Sequence, residues 1–420
     1  MNNSRSTILL GAGAVIDIGA PTTNDITQEI IKQNKYINYL DKNFDGTFSP
    51  FTAVSKVYSR LKEKYPKEPN FEQVFHVLEM LESYNRVWSY DCVNSRMYPP
   101  LAPFVVPETN IISHSEWKGL SSLLSQCQID IMKMINKYDE MYNVKKNSDY
   151  LWYRDFWNKI NGFDLFNLNY DTTIEQSVRN YNDGFVDSGD KQFQRFDPKE
   201  LFVDDGKNKI CHLHGCILFN HQRYKDINHD VYEYQYNDMY KWNDYDNVEK
   251  MLQSSFGTNP SNQSGETLHV GSIITGLRKT DKVTFAPYNY YHHYLNTAIL
   301  NNKSLLIVGY SFGDLYVNDL IERMNLLYGK DKRIVVVTYW PQDDDSFMNM
   351  DCESEKMNHN EFIFLKRMMH DDGFQCRFLD RTRKKEDPYI SKDGDVALFV
   401  YGFKSAVKKY GDMIIDFLDF

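Results

Sequence analysis

The stretch Ile8-Leu9-Leu10-Gly11-Ala12-Gly13-Ala14 places an apolar strand directly before two glycines, and Gly19-Ala20-Pro21 follows it closely. Glycine lets the chain turn tightly after a strand and lets a phosphate approach the next helix. Thr22, Thr23 or Asn24 can cap a helix that begins near residue 25. This order of strand, glycine turn and helix predicts the first βα unit of an α/β fold.

Two glycines in such a turn can also serve packing alone. A dinucleotide-dependent dehydrogenase places an acidic ribose ligand about 20 residues further on. Here Glu29 lies within the predicted helix, so the pattern disfavours an ordinary dehydrogenase.

Length and composition set the broad class. A chain of 420 residues is too long for one compact core and predicts two or three structural units. The mean hydropathy of −0.57 and the lack of a long apolar run predict no membrane span. We recognise no secretion signal, and six scattered cysteines without a CxxC pair indicate a reducing, cytoplasmic location and no metal. A net charge of −10 disfavours direct nucleic-acid binding.

Further strands alternate with helical segments along the chain. The predicted strands are 163–168, 210–214, 304–308, 333–338 and 375–379, and the predicted helices are 172–180, 288–301, 314–328 and 359–371. This alternation predicts a Rossmann-like, mostly parallel sheet with helices on both faces.

The region between the first two strands has a different character. Helical spacing over 70–81 and over roughly 115–141 indicates an inserted helical subdomain. The predicted division is a discontinuous sheet domain of residues 1–44 and 151–385, a helical subdomain of 45–150, and a C-terminal extension of 386–420. The apolar residues of that extension can form an interface or pack on the protein's own core.

Polar residues follow two of the predicted strands. Asn167-Leu168-Asn169-Tyr170-Asp171 ends one strand, at the edge where α/β proteins bind ligands, and alternation puts Asn167 and Asn169 on one face. Asn169 and Asp171 can instead cap the following helix. His212-Leu213-His214-Gly215 ends another strand, and alternation puts both histidines on one face. A histidine there can exchange protons near neutral pH or be a structural residue.

Gly309-Tyr310-Ser311-Phe312-Gly313-Asp314 follows the apolar strand 304–308. Ser311 and the nearby amides can bind phosphate or ribose, or Asp314 can cap the next helix. The segment also matches the GxSxG turn of serine hydrolases, whose further partners would be Asp351 and His359 or His370. That alternative leaves the upstream segments unexplained.

Together these segments resemble the sirtuin superfamily, and specifically the bacterial sirtuin-like NADases of anti-phage defence. The resemblance rests on Gly11-Ala12-Gly13 with Gly19-Ala20-Pro21, on Asn169-Tyr170-Asp171, on His214-Gly215 and on Gly309-Tyr310-Ser311. Asn70-Phe71-Glu72 and the whole segment 309–314 are similar to the defence branch in particular.

The resemblance implies roles for these residues, with NAD+ as the substrate. Gly11, Ala12 and Gly13 would hold the pyrophosphate, and Asn169 would position water and the nicotinamide ribose. Asp171 would contact the carboxamide, and His214 would be the general base. The remaining dinucleotide contacts implied are Pro21, Thr23, Gly309 and Ser311, with Ser311 near the adenosine.

Departures from the family pattern bear on the reaction. Val15 stands where the family has serine, Thr22-Thr23-Asn24 replaces Asp-Phe-Arg, and the zinc-ribbon cysteines are missing. These departures favour hydrolysis of NAD+ to nicotinamide and ADP-ribose over lysine deacylation. The alternatives are a non-catalytic module that senses NAD or ADP-ribose, and a deacylase or ADP-ribosyltransferase. By family analogy, we expect a homo-oligomer, with a HerA-type hexameric ATPase or another phage sensor as partner.

Overall fold

The computed structural model describes most of the chain. The described residues are 5–32, 52–84, 120–226, 231–253, 271–276, 279–339, 367–368, 388–391 and 393–419. The strands are β1 (Ser6–Leu10), β2 (Phe163–Asn167), β3 (Tyr181–Asn182), β4 (Phe185–Asp187), β5 (Phe193–Phe196), β6 (Asn208–His212), β7 (Phe219–Asp226), β8 (Val231–Trp242), β9 (Ser304–Val308), β10 (Arg333–Val337), β11 (Tyr389–Ile390) and β12 (Val396–Phe399).

The helices lie between these strands. They are α1 (Thr23–Ile30), α2 (Thr52–Lys64), α3 (Phe71–Tyr84), α4 (Leu120–Lys145), α5 (Leu151–Lys159), α6 (Thr173–Ser177), α7 (Pro198–Phe202), α8 (Tyr245–Gln253), α9 (Lys279–Lys282), α10 (Tyr288–Asn301), α11 (Leu315–Tyr328) and α12 (Phe403–Leu418). Short 3-10 turns cover Ala12–Ala14, Ile16–Ile18 and Gly329–Asp331.

The central sheet has eight strands in the order β11-β12-β10-β9-β1-β2-β6-β3. Its strands pair in parallel except β11, which runs antiparallel to β12. Every residue of β1, β2 and β9 is buried, as expected for parallel strands covered on both faces. Alternate residues of β1 enter two different cores: Leu9 packs with α3 and α10, whereas Ile8 packs with α5 and α12. The predicted Rossmann-like fold with helices on both faces is confirmed.

A second, antiparallel sheet of four strands has the order β4-β5-β8-β7. Its long hairpin of β7 and β8 lies in the polar, tyrosine-rich region after residue 220. The polar composition of this region predicts an excursion with a flexible loop, and no local pattern predicts the sheet.

The helical character predicted after β1 is confirmed over the described residues. In α3, Phe71, Val74, Phe75 and Leu78 are buried, as the helical spacing predicts. The second predicted helix is α4, which begins at Leu120 and ends at Lys145 in the described residues. Both helices pack into the same core as Leu9 of the sheet. The division into separate domains stays a prediction.

The last strand and helix of the chain pair with and pack on the central sheet. Strand β12 pairs in parallel with β10, and α12 packs against α5 and β10 through Phe403, Ile414 and Leu418. No predicted strand covers β12, and the strand predicted at 375–379 lies outside the described residues. No described helix combines the length and apolar character that a membrane span requires.

Candidate functional site

The sheet order creates a crevice at the carboxyl end of β1. From β1 the chain builds one side of the sheet through β2 and β6, and then returns to build the other side through β9 and β10. In open α/β sheets, ligands bind where the strand order reverses in this way. Because the strands are parallel, all the predicted site segments leave the sheet at this same edge.

The glycine turn packs against the turn after β9. The N–H of Gly11 donates to the carbonyl of Val308, and that of Gly13 donates to the carbonyl of Gly309, both at 2.9 Å. Gly309 has φ +62°, and a Cβ there would lie 2.2 Å from the nitrogen of Ala14. The glycines therefore allow two backbones to touch. Both N–H groups donate within the protein, so these two glycines cannot donate them to a phosphate. They let a phosphate come close to the backbone because they lack side chains.

Other predicted dinucleotide contacts lie around this turn. Ala12 is exposed at the start of the first 3-10 turn, Pro21 is half-buried, and Thr23 is exposed as the first residue of α1. Thr22 caps α1, because its Oγ1 accepts from the N–H of Asp25 at 3.1 Å. The exposed side chain of Thr23 thus remains open to a ligand.

Asn169 contacts the glycine turn directly. Its Nδ2 donates to the carbonyl of Gly11 at 3.0 Å, and its N–H donates to Oδ1 of Asn167 at 3.0 Å. Strand β2 ends at Asn167, so Asn169 belongs to the loop and its side chain crosses to the end of β1. Asn169 does not cap α6, because the N-cap residue of that helix is Thr172. The capping alternative is therefore wrong for Asn169.

Asp171 is buried immediately before α6. Its Oδ1 accepts from the N–H of Thr173 at 3.1 Å and from the Thr173 hydroxyl at 2.5 Å. Burial raises the pKa of the Asp171 carboxyl, while the Thr173 bonds and the charge of His212 oppose that rise. The local capping alternative holds for Asp171, and its contact with a carboxamide stays a prediction.

The two histidines have different surroundings. Strand β6 ends at His212, two residues earlier than predicted, and Gly215 with φ +95° turns the chain. The predicted common face is therefore wrong. His212 is buried, whereas His214 lies in the turn with its Nε2 3.2 Å from Oδ2 of Asp314. The room beside Gly215 is filled by Ser272, because a Cβ on Gly215 would lie 2.1 Å from the Ser272 carbonyl oxygen.

Asp314 joins the turn after β9 to His214. Its Oδ1 caps α11 by accepting from the N–H groups of Tyr316 at 3.0 Å and Val317 at 3.3 Å, and its Oδ2 faces His214. Burial favours the neutral acid, but the hydrogen bond and charge of His214 and the helix amides lower the pKa of Asp314 to about 2. The predicted cap is present. The additional contact with His214 was missed, although Asp314 ends a segment that the sequence singled out.

Ser311 is exposed in the same turn, and Phe312 beside it has φ +55°. Within the described residues, Ser311 has no hydrogen bond to a histidine or a carboxylate. The nearby His214 contacts Asp314 instead. The other residues of the serine-hydrolase alternative (Asp351, His359 and His370) lie outside the described residues. The geometry thus gives the hydrolase turn no support.

His292 on α10 is a third histidine at this place and was not predicted. Its ring lies 5.2 Å from that of Tyr316, and in the described part of the chain its Nε2 is buried without a hydrogen-bond partner. Burial and the charge of His214 lower the pKa of His292 to about 4. The sequence Tyr290-Tyr291-His292-His293 gives no sign of which histidine points inwards.

One group of possible metal ligands occurs among the described residues. The ligand atoms of Glu175, His212 and Cys216 lie within 4.8 Å of one another. Glu175 and His212 already bond each other at 2.7 Å, and the Lys241 ammonium lies 3.7 Å from the same Glu175 oxygen. A divalent cation at this place would be repelled by that ammonium. We therefore treat these residues as a charge network, and the expected lack of a metal stays a prediction.

The parallel sheet and its crevice define an α/β protein of the Rossmann-like class, a fold whose crevice commonly holds dinucleotides. Residues 164–360 match the family model of the SIR2-like domain. This similarity is consistent with a member of the sirtuin superfamily and supports an NAD-related function. None of the curated proteins matches this chain. The matched range contains Asn169, His214 and Asp314, whereas the glycine turn precedes it.

Proposed function

We propose that this protein hydrolyses NAD+ to nicotinamide and ADP-ribose. One observation carries the proposal: contacts join the loops after four parallel strands at the crevice. Asn169 bonds the glycine turn after β1, Gly13 of that turn bonds Gly309 after β9, and Asp314 of the β9 turn contacts His214 after β6. Groups suited to breaking the ribose–nicotinamide bond thus share one edge of the sheet.

Asn169 is the proposed positioning group for the attacking water and the ribose. Its Nδ2 is committed to the Gly11 carbonyl, so its Oδ1 is the atom that can accept a hydrogen bond from water or a ribose hydroxyl. Cleavage breaks the bond between C1′ and the nicotinamide nitrogen, and nicotinamide leaves neutral with the electron pair. The water oxygen then bonds C1′, so its placement governs the rate.

His214 is the proposed general base. In the neutral tautomer whose Nε2–H donates to the Asp314 carboxylate, Nδ1 of His214 would carry the lone pair. Nδ1 can then take the proton of the water or of a ribose hydroxyl. A base oriented by a carboxylate is a recurrent arrangement in hydrolytic enzymes.

The remaining dinucleotide contacts follow the sequence expectation. The turn containing Gly11, Ala12 and Gly13 would approach the pyrophosphate, and Asp171 would meet the carboxamide. Pro21, Thr23, Gly309 and Ser311 would line the rest of the dinucleotide.

An enzyme that consumes NAD+ needs control inside a living cell. We propose that the protein is the cytoplasmic, NAD-depleting effector of an anti-phage abortive-infection system. A homo-oligomer with a HerA-type ATPase or another phage sensor would supply the control.

Product analysis tests the proposal. NAD+ is incubated with the wild type alone, with the product of the neighbouring gene, and with an acylated peptide, and the products are separated by chromatography. We expect nicotinamide and ADP-ribose in equal amounts without the peptide. Nicotinamide formed only with the peptide would instead indicate a deacylase or transferase. Thermal stabilisation by NAD+ without release of nicotinamide would indicate a sensing module.

A further inference from the structure

A network of four buried charged side chains lies behind Asn169. Nε2 of His212 bonds Oε1 of Glu175 at 2.7 Å, and the Lys241 ammonium lies 3.7 Å from that same oxygen. Lys241 also bonds Oδ2 of Asp183 at 2.6 Å. The network joins β6, α6 and β8, and it contains two acids and two bases.

The second ring nitrogen of His212 points to the site. Its Nδ1 lies 3.3 Å from the backbone carbonyl oxygen of Asn169. A carbonyl oxygen and a carboxylate oxygen only accept hydrogen bonds, so both ring nitrogens must donate to satisfy these partners. A neutral imidazole has a single N–H and would face one oxygen with a lone pair. The geometry therefore favours the doubly protonated ring.

We propose that His212 is a positioning residue for the hydrolysis: as an imidazolium held by Glu175, it fixes the backbone of Asn169 and thereby aims the Asn169 side chain. This inference rests on the proposed function. It assigns to the first histidine of the segment 212–215 a role distinct from that of His214.

The position of Asn169 depends on few contacts. Its side chain bonds Gly11, its N–H bonds Asn167, and its carbonyl faces His212. The His212 contact is the one that ties this loop to the buried network. Without it, the neighbouring residues keep their backbone bonds to the segment after β6, from the N–H of Leu213 to Asn167 and from that of Ile217 to Tyr170, but the carbonyl of Asn169 itself loses its partner. A shift of about 1 Å in a reacting geometry can cost about 10²-fold in rate.

The groups facing His212 agree with a charged ring. Burial would lower the pKa of His212, but the charge and hydrogen bond of Glu175 raise it overall, against the opposing charge of Lys241. Asp171 adds a further acid nearby, and Cys216 is buried, with a pKa raised by that burial. The two acids of the network balance the charges of His212 and Lys241.

Kinetics of buried-pair variants test the positioning role. His212→Phe keeps a ring but loses both hydrogen bonds, and His212→Gln keeps one donor. We expect His212→Phe to lower kcat for NAD+ cleavage by about 10²-fold with little change in KM, and His212→Gln to recover part of the loss. Lys332→Met is the matched control, because it breaks a buried pair with Asp395 at the far side of the sheet.

Nuclear magnetic resonance of ¹⁵N-histidine-labelled wild type tests the charge state without any reaction. We expect the His212 ring, assigned from its loss in His212→Gln, to show two N–H signals at neutral pH. A neutral ring would overturn the proposal. So would wild-type kcat in His212→Phe, provided the wild type cleaves NAD+. A wild type that releases no nicotinamide would overturn the proposed function instead, while the charge state would still be measured.

Discussion

At the scale of single residues, Asp314 serves the fold and the proposed chemistry with different oxygens. Oδ1 caps α11 and Oδ2 faces His214, so the start of a helix fixes the carboxylate that orients the proposed base. The sequence alone indicates only the cap, because capping is local and the histidine lies 100 residues away in the chain.

Replacing this carboxylate by an amide should impair turnover. In Asp314→Asn, the amide can still cap α11 if its oxygen faces the helix, but its NH₂ then faces His214 and favours the wrong tautomer. We expect kcat to fall by about 10²- to 10⁴-fold, measured as the rate of nicotinamide release. Asp319→Asn, on an exposed position of α11, is the control. Equal rates in both variants would remove Asp314 from the mechanism.

His292 should make stability depend on pH. Its pKa is lowered from 6.5 to about 4 in the folded state, so between these values the unfolded chain binds a proton that the folded chain does not. The free energy of unfolding is therefore lost as pH falls from about 6.5 towards 4, by up to about 3 kcal/mol. Urea unfolding over this range should show a smaller loss in His292→Phe than in the wild type. An equal loss of unfolding free energy in both proteins would contradict the lowered pKa of His292.

At the scale of elements, the site depends on two turns that touch. The turns after β1 and β9 approach closely because Gly11, Gly13 and Gly309 have no side chains to separate them. This contact fixes the distance between Asn169, which bonds Gly11, and Asp314, which follows Gly309.

Gly309→Ala tests this contact. Its Cβ would lie 2.2 Å from the nitrogen of Ala14, at φ +62°. Gly394→Ala is a matched control, because Gly394 has φ +69° but nothing within 4 Å of the added Cβ. We expect the control to lose about 1–2 kcal/mol of unfolding free energy from backbone strain alone. Gly309→Ala should lose clearly more and fail to bind NAD+. Similar losses of unfolding free energy in the two variants would show that the two turns can separate at little cost in stability.

The sequence predicted those elements whose signals are local. An apolar run ended by glycine predicted β9 (Ser304–Val308), and helical spacing predicted α10 (Tyr288–Asn301). The end of β6 was placed two residues late, because alternation continues to His214 although the backbone turns. Strand β12 has only four residues, and in the antiparallel sheet β5 pairs with β8, more than 40 residues further along the chain, so neither pairing follows from a local pattern.

The residues of the site were likewise predictable only where their signals are local. The residues at the crevice were predicted because glycines, amides and histidines follow apolar strands. Their partners were not: Asp314 for His214, Glu175 for His212, and buried His292 become neighbours only through the sheet order.

At the scale of the whole molecule, the topology brings the site together. The segments after β1, β2, β6 and β9 span some 300 residues of sequence, from Gly11 to Asp314, and meet because parallel strands end at one edge. The C-terminal helix α12 covers one face of this sheet, so its apolar residues are used for the core. An oligomeric interface remains a proposal.

The rate of nicotinamide release from NAD+ by matched variants is the most direct test of the central claim. We predict release by the wild type, a loss of about 10²- to 10⁴-fold in His214→Ala, and at least a comparable loss in Asn169→Ala. The exposed controls His293→Ala and Asn180→Ala should keep the wild-type rate. No release by the wild type, or unchanged rates in both site variants, would contradict the account.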